Sequence, residues 1–400
     1  MNVLVVCPFF PHDPIRPYSG IFVGEQVRML RQLGVEAHVV TFVPWTPWPV
    51  SALKPKWKEL AQIPSRYSWR DIEVIVHRYP VLPRNRALDI AARVMEQLLY
   101  QDVVASEPDL IHAHFAYPTG FAAVRCARRL SIPVVLTVHG SDVHTVPNMA
   151  KRYRADVMEA LKGATRVLAV SEFMKAEVLK LCTDSAVIVH RIGIDLLKFK
   201  VRDSKTKLAG VDGPVVLYVG NLLKDKGVMD LLNAFRGVED LGAHLIYVGS
   251  GPMARDLALR TAELGLSGRV WLFGAQPPDK IPHLLSGADV LALPSYREGL
   301  GMICVEALAC GVPVIATNTG GIPEVIRHNE TGLLVPPGDV EALAKALRWV
   351  LLNEAEAIKL ALAGRRLVEQ RYNLKANTQS LIEVYRDVLS APRPNRDAWR

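Results

Sequence analysis

Two glutamates stand where a buried strand passes into a helix. The apolar run 290–293 ends at Pro294, as a central parallel strand does. Glu298 follows in a short loop that contains Gly299 and Gly301, and Glu306 comes five residues after the second glycine. A helix that begins in this loop offers unpaired backbone amides and the positive end of its dipole, which both attract phosphate. The spacing predicts an anion site in which one carboxylate reaches a sugar and the other holds ribose hydroxyls.

A second loop with glycine and lysine follows the predicted strand 214–219. Residues 220–227 read Gly-Asn-Leu-Leu-Lys-Asp-Lys-Gly and lead into a predicted helix. Backbone amides and a lysine charge in such a loop suit a diphosphate, although a loop lysine is often only solvated. We expect Lys226 to carry the main positive charge, with Lys224 as a helper and Asn221 as a neutral hydrogen-bonding partner.

The order of these motifs resembles a known family. Residues 294–324 contain Glu-Gly-Leu-Gly, then Gly-Val-Pro-Val-Ile-Ala, then Gly-Gly-Ile-Pro-Glu. This series is similar to that of glycosyltransferase family 4, whose members have the GT-B fold, use nucleotide-sugar donors and retain the anomeric configuration. The resemblance extends from residues 18–25 to the last predicted helix. It implies an α/β protein with two Rossmann-like, doubly wound domains that face each other across a cleft.

The resemblance implies a role for each donor-side residue. Glu298 would contact the sugar hydroxyls, Glu306 the ribose, and Lys226 the diphosphate. The family often has arginine where this chain has Asn221, which brings no charge, and Gly20 would lie near the donor phosphates from the first domain. The expected donor-binding residues are Gly20, Asn221, Lys226, Glu298, Gly299, Leu300, Gly301 and Glu306.

On the acceptor side the resemblance concerns residues that follow two predicted strands of the first half. His139 would lie beneath the transferred sugar and stabilise charge at the anomeric carbon, so His139 and Glu298 are the expected catalytic residues. His114 and Asp142 would line the acceptor side. Zinc is a weaker interpretation of these histidines with His112 and His144, because no carboxylate or thiol stands at metal spacing. No metal or other cofactor is expected, and the chain has no Asp-x-Asp motif.

Alternating apolar strands and helical patterns occur on both sides of a polar stretch, which indicates two doubly wound domains. We predict an N-terminal domain over 1–197, and the family resemblance implies that a C-terminal helix at 374–390 completes it. A linker over 198–213 and a donor domain over 214–373 follow, and 391–400 form a tail.

Composition narrows the class of protein. The chain has 400 residues, half of them hydrophobic, and a net charge of +8. No apolar run approaches the roughly 20 residues of a membrane helix, and we interpret residues 1–10 as a strand and not as a signal peptide. The five cysteines are odd in number and far apart in the sequence. This distribution favours buried, reduced thiols in a cytosolic protein.

The positive charge is concentrated in the first half. Residues 1–200 hold 25 Lys and Arg against 18 Asp and Glu, whereas residues 201–400 hold 23 against 22. An acidic acceptor or an anionic membrane surface fits this bias, as does ordinary solubilising charge, whereas no motif indicates nucleic acid. The segment from Trp45 to Trp69 holds four tryptophans beside three lysines, which is typical of a membrane interface or of a proline-rich excursion packed on the domain. The expected location is cytoplasmic, with peripheral contact at the inner face of the membrane as a further hypothesis.

These observations predict a retaining glycosyltransferase with a nucleotide-diphosphate sugar donor, UDP- or GDP-linked. Its acceptor would be a glycan, a lipid-linked sugar or a lipid, in cell-envelope, exopolysaccharide or glycolipid synthesis. The alternatives are a nucleotide-sugar epimerase or hydrolase of the same fold, or a non-catalytic nucleotide-sugar-binding protein. A dinucleotide oxidoreductase is disfavoured because the Gly-x-Gly-x-x-Gly fingerprint is absent from the sequence.

Overall fold

The computed structural model describes residues 1–12, 15, 18–46, 55–81, 88–201, 208 and 211–391. Contacts divide the chain into two compact units. Unit 1 comprises Met1–Gly193 together with the segment that begins at Leu374, and unit 2 comprises Ile194–Asn373. Several residues named in the sequence analysis lie outside the described part: Trp48, Lys54, the side chain of Lys56, residues 202–207 and 209–210 of the predicted linker, and the tail from 392.

Unit 1 contains an eight-stranded sheet. The alternating apolar runs of the first half form strands because their β-branched and aliphatic side chains are buried on both faces. The order is β3-β4-β2-β1-β5-β6-β7-β8, and all neighbours are parallel except β3 and β4. The strands are β1 Asn2–Cys7, β2 Glu36–Trp45, β3 Arg66–Trp69, β4 Ile72–Pro80, β5 Leu110–His114, β6 Val134–Val138, β7 Arg166–Ala169 and β8 Val187–Val189.

Helices connect these strands. The first begins after Gly20, whose φ of 66° suits glycine, and it ends before Gly34, whose φ of 85° is typical of a glycine that follows a helix. The helices are α1 Ile21–Gln32, α2 Pro55–Gln62, α3 Leu88–Ser106, α4 Phe121–Leu130, α5 Ser141–His144, α6 Val146–Met149, α7 Lys151–Gly163 and α8 Glu172–Leu181, with a π-helical turn at Ala116–Gly120.

Unit 2 contains a six-stranded parallel sheet of order β11-β10-β9-β12-β13-β14. Its strands are β9 Val215–Val219, β10 His244–Val248, β11 Val270–Gly274, β12 Val290–Leu293, β13 Val314–Thr317 and β14 Leu333–Val335. Its helices are α9 Val228–Phe235, α10 Ala254–Glu263, α11 Ile281–Ser286, α12 Met302–Ala309, α13 Val340–Leu352 and α14 Glu354–Arg371. Short 3₁₀ turns occupy Lys224–Lys226, Arg236–Leu241, Pro278–Lys280 and Ile322–Glu324.

The last helix, α15 Leu374–Ser390, belongs to unit 1 although it follows unit 2 in the chain. Its apolar face joins the hydrophobic core that contains β1 and α1. The core residues from α15 are Leu381, Ile382, Tyr385 and Val388. This amphipathic helix therefore completes the first unit.

Each sheet has a topological switch point. The strand order reverses between β1 and β5 in unit 1 and between β9 and β12 in unit 2. Ligands of doubly wound sheets bind outside the carboxyl ends of the strands at such points. The loops after β1 and β5, and after β9 and β12, are therefore the places where binding residues are expected.

The tryptophan-rich segment contributes mainly to the core of unit 1. Trp69 is only 8% exposed and meets the ring of Phe10 edge to face at 5.6 Å, and Trp57 packs against the same core. Trp45 is 44% exposed. Trp57 and Trp69 therefore pack on the domain, which was one of the two interpretations of this segment. Among its described tryptophans, Trp45 alone presents a large exposed surface. Across the described residues, no helix combines the length and the apolar character needed to cross a bilayer.

Candidate functional site

The two predicted donor loops of unit 2 meet through an ion pair. The Lys226 ammonium lies 2.7 Å from Oε1 of Glu298, and the two side chains are 20% and 19% exposed. The same ammonium also donates to the carbonyl of Arg297 at 3.3 Å. Seventy-two residues separate the two charges in sequence, and the adjacent strands β9 and β12 bring them together. The structure therefore places the predicted diphosphate lysine beside the predicted sugar carboxylate.

Glycine at position 227 allows the two loops to approach. Gly227 precedes α9 with a φ of 65°, and a Cβ there would lie 2.1 Å from the carbonyl oxygen of Pro294. The Tyr296 amide donates to the carbonyl of Asp225 at 2.8 Å, which ties the loops together. Any side chain at 227 would force the loops apart, so this glycine positions Lys226 against Glu298.

The Gly320-Gly321 turn supports Glu298 from the other side. The Gly321 amide donates to the Glu298 carbonyl at 3.2 Å. A Cβ on Gly320 would lie 1.8 Å from the same oxygen, and Gly320 has a φ of 55°. Glycine is therefore required at this turn, because it allows the chain to pass directly over the backbone of Glu298.

The helix that carries Glu306 starts at the glycine expected from the sequence. Gly301 precedes α12 with a φ of 81°, and Leu300 is buried beside it. Burial raises the pKa of Glu306 to about 7, against a smaller opposing effect from the charge of Lys198. Near neutral pH this carboxyl group therefore exchanges between a form that only accepts hydrogen bonds and a form that also donates one.

Asn221 lies in a loop that is held from below by a buried tyrosine. The Tyr218 hydroxyl donates to the Asn221 carbonyl at 2.8 Å, and the Leu222 amide donates to the Ser250 carbonyl at 2.9 Å. Residues 249–252 form a Gly-Ser-Gly-Pro turn that packs directly on this loop, since a Cβ on Gly249 would lie 1.9 Å from the Gly220 carbonyl oxygen. The Asn221 side chain itself faces solvent. No role was predicted for Tyr218. The only indication in the sequence is that the hydroxyl of a buried tyrosine needs a hydrogen-bond partner.

In unit 1 the two expected site histidines hydrogen-bond to each other. Nδ1 of His114 lies 3.1 Å from Nε2 of His139, and their rings stack at 5.3 Å. His114 is 2% exposed, and burial lowers its pKa to about 3. Burial, with a smaller effect of His114, also holds the pKa of His139 well below its usual value. Both rings are therefore neutral at physiological pH, and the structure puts His114 beneath His139 and not on an open acceptor surface.

The shared hydrogen bond selects one tautomer. If His139 donated, the proton of His114 would sit on Nε2, which is buried and has no hydrogen-bond partner among the described residues. A buried N–H without an acceptor is rarer and costlier than an unpaired acceptor nitrogen. We infer that His114 donates from Nδ1, so that His139 keeps its own proton on Nδ1 and can act as a neutral donor.

A residue of the last helix completes this cluster. The Tyr385 hydroxyl lies 2.6 Å from Nδ1 of His112, and Nε2 of the same ring lies 2.8 Å from the Thr137 hydroxyl. The rings of His112 and His114 are 4.3 Å apart, as expected for neighbours on one face of a strand. At the sequence level Tyr385 is only one residue of the predicted C-terminal helix at 374–390. Its 273-residue separation from His112 leaves no local signal for this contact.

The Asp142 carboxylate is occupied by backbone amides. It accepts from Ala116 at 2.9 Å, from Gly140 at 2.8 Å and from His139 at 3.1 Å. Burial raises the pKa of Asp142, and these amide hydrogen bonds oppose the increase. Asp142 therefore joins the loops after β5 and β6 and fixes the backbone of His139. Gly20, the remaining unit 1 residue of the predicted set, packs on the loop after β1, where a Cβ would lie 2.2 Å from the Phe9 carbonyl oxygen.

In the part of the chain that the structure describes, neither set of loops holds the side chains of a metal site. Among the described residues, no group of three or more His, Cys, Asp or Glu side chains is arranged to hold a metal ion. All five cysteines are buried, and no disulfide bond joins any two of them. The expectation that the protein needs no metal stays a prediction.

Comparison with known proteins identifies the family. Residues 19–196 match the family described as Glycosyltransferase Family 4, and residues 200–367 match Glycosyl transferases group 1. A Bacillus subtilis glycosyltransferase named for teichuronic acid biosynthesis, TuaC, is 32% identical over 97% of this chain and 99% of its own. The chain belongs to glycosyltransferase family 4. The predicted family and the prediction of an enzyme are therefore confirmed.

Solved structures agree on the fold of this family 4 enzyme. Sucrose-phosphate synthase from Thermosynechococcus elongatus superposes with a TM-score of 0.78 at 22% identity, over 98% of this chain and 100% of that one. HepE from Anabaena, solved in complex with UDP, gives 0.76 at 20% identity, over 97% and 100%. These matches and the two parallel sheets confirm the predicted GT-B fold.

The chemistry available to the enzyme differs between its units. Unit 2 offers a lysine, a carboxylate and backbone amides around two glycine-bearing loops, which suits a polyanion that carries hydroxyl groups. Unit 1 offers neutral imidazoles and aromatic side chains, which suits an uncharged group. Of the predicted residues, the structure brings together Lys226, Glu298 and the loop 299–301 in unit 2, and His114, His139 and Asp142 in unit 1.

Proposed function

We propose that the enzyme transfers a sugar from a nucleotide-diphosphate sugar to an acceptor hydroxyl with retention of the anomeric configuration. The observation that carries the proposal is the Lys226–Glu298 pair, held between two glycine-supported loops at the switch point of unit 2. A partly buried lysine whose partner also accepts sugar hydroxyls is suited to the junction between a diphosphate and a sugar.

In this proposal the donor replaces the internal ion pair. The diphosphate takes the charge of Lys226, and Glu298 is released to accept hydrogen bonds from the sugar. The amides of Gly299, Leu300 and Gly301 hold the sugar or the phosphate, Glu306 holds the ribose, and Asn221 adds a neutral contact. Gly20 supports the donor phosphates from unit 1.

The reaction proposed is a front-face displacement. The bond between the anomeric carbon and the β-phosphate oxygen breaks, and the acceptor oxygen bonds to that carbon on the same face. The acceptor proton passes to the departing phosphate, so the protein supplies no nucleophile. His139, as a neutral donor, stabilises charge near the anomeric carbon, and Lys226 stabilises the leaving diphosphate without a metal ion.

Known proteins support the class of donor and acceptor. HepE was solved in complex with UDP, and TuaC is named for teichuronic acid biosynthesis. We propose a UDP- or GDP-linked donor and a glycan, lipid-linked or lipid acceptor in cell-envelope, exopolysaccharide or glycolipid synthesis. The proposed location is cytoplasmic, and contact with an anionic inner membrane surface rests on the basic first half and on exposed Trp45.

The donor site is tested by thermal-shift and turnover measurements with UDP-, GDP- and ADP-sugars in the presence of EDTA. We expect one donor class to stabilise the enzyme, and Lys226→Ala and Glu298→Ala to abolish the shift. Lys345→Ala is a matched control, because Lys345 forms an exposed ion pair with Glu341 at 2.6 Å elsewhere in unit 2. A shift that survives in Lys226→Ala would refute the donor assignment.

The type of reaction is tested separately. NMR of the product should show the anomeric configuration of the donor, and an inverted product would overturn the displacement proposed here. Steady consumption of the donor without any acceptor would instead favour the hydrolase or epimerase alternative. Binding of a nucleotide sugar without turnover toward any glycan or lipid acceptor would favour the non-catalytic one.

A further inference from the structure

Unit 1 contains a cavity at the carboxyl edge of its sheet that none of the roles above uses. The cavity measures about 350 Å³, within the range of sites that hold small ligands. Its floor is the hydrophobic core of the unit, formed by Phe10, Val43, Leu60 and Ile63, which are 2% to 7% exposed. A group that enters this cavity therefore meets aliphatic and aromatic carbon.

Three polar side chains of the lining, those of Thr41, Tyr67 and Asp142, are already hydrogen-bonded within the protein. The Tyr67 hydroxyl donates to the Pro11 carbonyl at 2.8 Å, and the side chain of Thr41 hydrogen-bonds Cys7. Both oxygens of Asp142 accept backbone amides. Because the floor is aliphatic and aromatic carbon, a sugar that rested on it would lose hydrogen bonds to water, which is costly, whereas a hydrocarbon would gain from burial.

One aromatic side chain lies between the cavity and the histidine pair. Phe115 lines the cavity, and its ring centroid lies 4.4 Å from that of His139. Phe9, 47% exposed at the rim, meets Phe115 edge to face at 5.7 Å. Phe115 has a φ of 67°, an unfavourable conformation for a bulky residue that persists only where surrounding contacts enforce it. Its amide donates to the Thr137 carbonyl at 2.8 Å, so the ring is held between cavity and histidine.

We propose that this cavity binds a hydrocarbon group of the acceptor, which makes the acceptor an amphiphile whose polar head reaches His139. The proposal rests on the proposed function, in that unit 1 is taken to bind the acceptor. It narrows the acceptor from glycan, lipid-linked sugar or lipid to a molecule with an alkyl or isoprenoid chain near its reactive hydroxyl.

The probes are methyl, butyl, hexyl and octyl β-D-glucoside, each kept below its critical micelle concentration and titrated into the full-length enzyme by calorimetry. Each methylene that enters the cavity should tighten binding by roughly fourfold, until the cavity is full. Geranyl β-D-glucoside, compared with octyl β-D-glucoside, distinguishes an isoprenoid from a straight-chain source: whichever binds tighter identifies the better-fitting chain.

Val43→Phe fills the cavity and should weaken octyl glucoside binding by at least tenfold. Val350→Phe is the matched control, since Val350 is also buried at 4% exposure and lines a second cavity of about 370 Å³, in unit 2. We expect Val350→Phe to bind octyl glucoside as the wild type does. Circular dichroism and the thermal midpoint of each variant show that it is folded.

Equal affinity for methyl and octyl glucoside, or equal binding by the wild type and a folded Val43→Phe variant, would overturn the proposal. A loss of octyl glucoside binding in Val350→Phe but not in Val43→Phe would also overturn it, since the chain would then occupy unit 2. Failure of the proposed function is recognised independently, because nucleotide-sugar stabilisation depends on Lys226 in unit 2 and should persist in Val43→Phe.

Discussion

The two units differ in the charge of the side chains that follow the strands of their sheets: unit 2 has an ion pair there, and unit 1 has neutral histidines. Unit 2 places a formal ion pair, Lys226 and Glu298, where each side chain keeps about a fifth of its surface exposed. Unit 1 places His114 and His139, whose neutral forms are favoured by burial. Both sets of residues follow strands of a doubly wound sheet, so the fold supplies the position and the side chains supply the chemistry.

The difference indicates how each half responds to change. A partly exposed ion pair can exchange partners with a charged ligand and is sensitive to salt. A buried network of neutral groups cannot gain or lose a charge cheaply, so it acts through orientation. Substitutions in unit 2 should therefore alter charge and affinity, whereas substitutions in unit 1 should alter geometry.

The largest effect is expected at Lys226. Lys226→Met removes the charge that we propose faces the diphosphate and should lower kcat/KM for the donor by about 10²- to 10³-fold. Lys345→Met, in an exposed pair of unit 2, should stay within about twofold because exposed pairs contribute little. Steady-state kinetics at low and high salt check both, and a similar loss in the two variants would contradict the charged-site view of unit 2.

The support of Glu298 is expected to rank second. Gly320→Ala and Gly265→Ala both place alanine at a positive φ, which costs about 1 kcal/mol. Only Gly320 also faces a backbone oxygen, whereas a Cβ on Gly265 meets no atom within 4 Å. We expect Gly320→Ala to lose about 2–4 kcal/mol of unfolding free energy and at least tenfold in kcat/KM. Denaturant unfolding and kinetics compare the pair, and equal losses would show that the turn does not hold Glu298.

The tautomer of His139 gives a smaller effect in unit 1. His114→Leu removes the donor to His139 and should lower kcat/KM about tenfold, the value of one hydrogen bond. His114→Asn can keep an N–H near the Nδ1 position and should recover most of that loss. Nitrogen-15 NMR of labelled histidine should show His139 protonated at Nδ1 in the wild type and in His114→Asn. Protonation at Nε2 in the wild type would refute the inferred tautomer.

The smallest effect concerns pH and Glu306. Its pKa of about 7 means that the carboxyl group is largely protonated at pH 6 and largely ionised at pH 8. In the proposed donor site the ionised form would accept hydrogen bonds from both ribose hydroxyls, so donor binding should release a proton below pH 7. Affinity for the nucleotide sugar should therefore rise severalfold from pH 6 to pH 8 and then level off. Glu306→Gln should flatten this dependence in calorimetric titrations, and an unchanged slope in the variant would assign the proton elsewhere.

The donor loops were largely predictable from the sequence. The strand at 290–293, the glycine before α12 and the second glutamate follow local rules of apolar runs, helix starts and positive φ. The pairing of Lys226 with Glu298 was not predicted, because it depends on β9 and β12 being neighbours in the sheet while two strands, β10 and β11, lie between them in chain order.

The acceptor side was less predictable. His114 and Asp142 are at the expected ends of β5 and β6, yet one lies under His139 and the other is occupied by amides. Trp57 and Trp69 belong to the core although their spacing beside lysines also fits a membrane interface. The types of polar residue indicate that a site is present. They do not indicate which polar atoms form hydrogen bonds within the protein and which stay available to a ligand.

The sequence by itself determined the family, the alternation of strands and helices, and the position of each glycine-bearing loop. These properties depend on hydrophobic periodicity and on backbone conformations that act within a few residues. Only the tertiary structure decided which charges pair, which imidazole is buried, and that Tyr385 of the last helix meets His112 of β5. Burial and long-range pairing set protonation and orientation, and they arise only when distant segments of the chain are packed together.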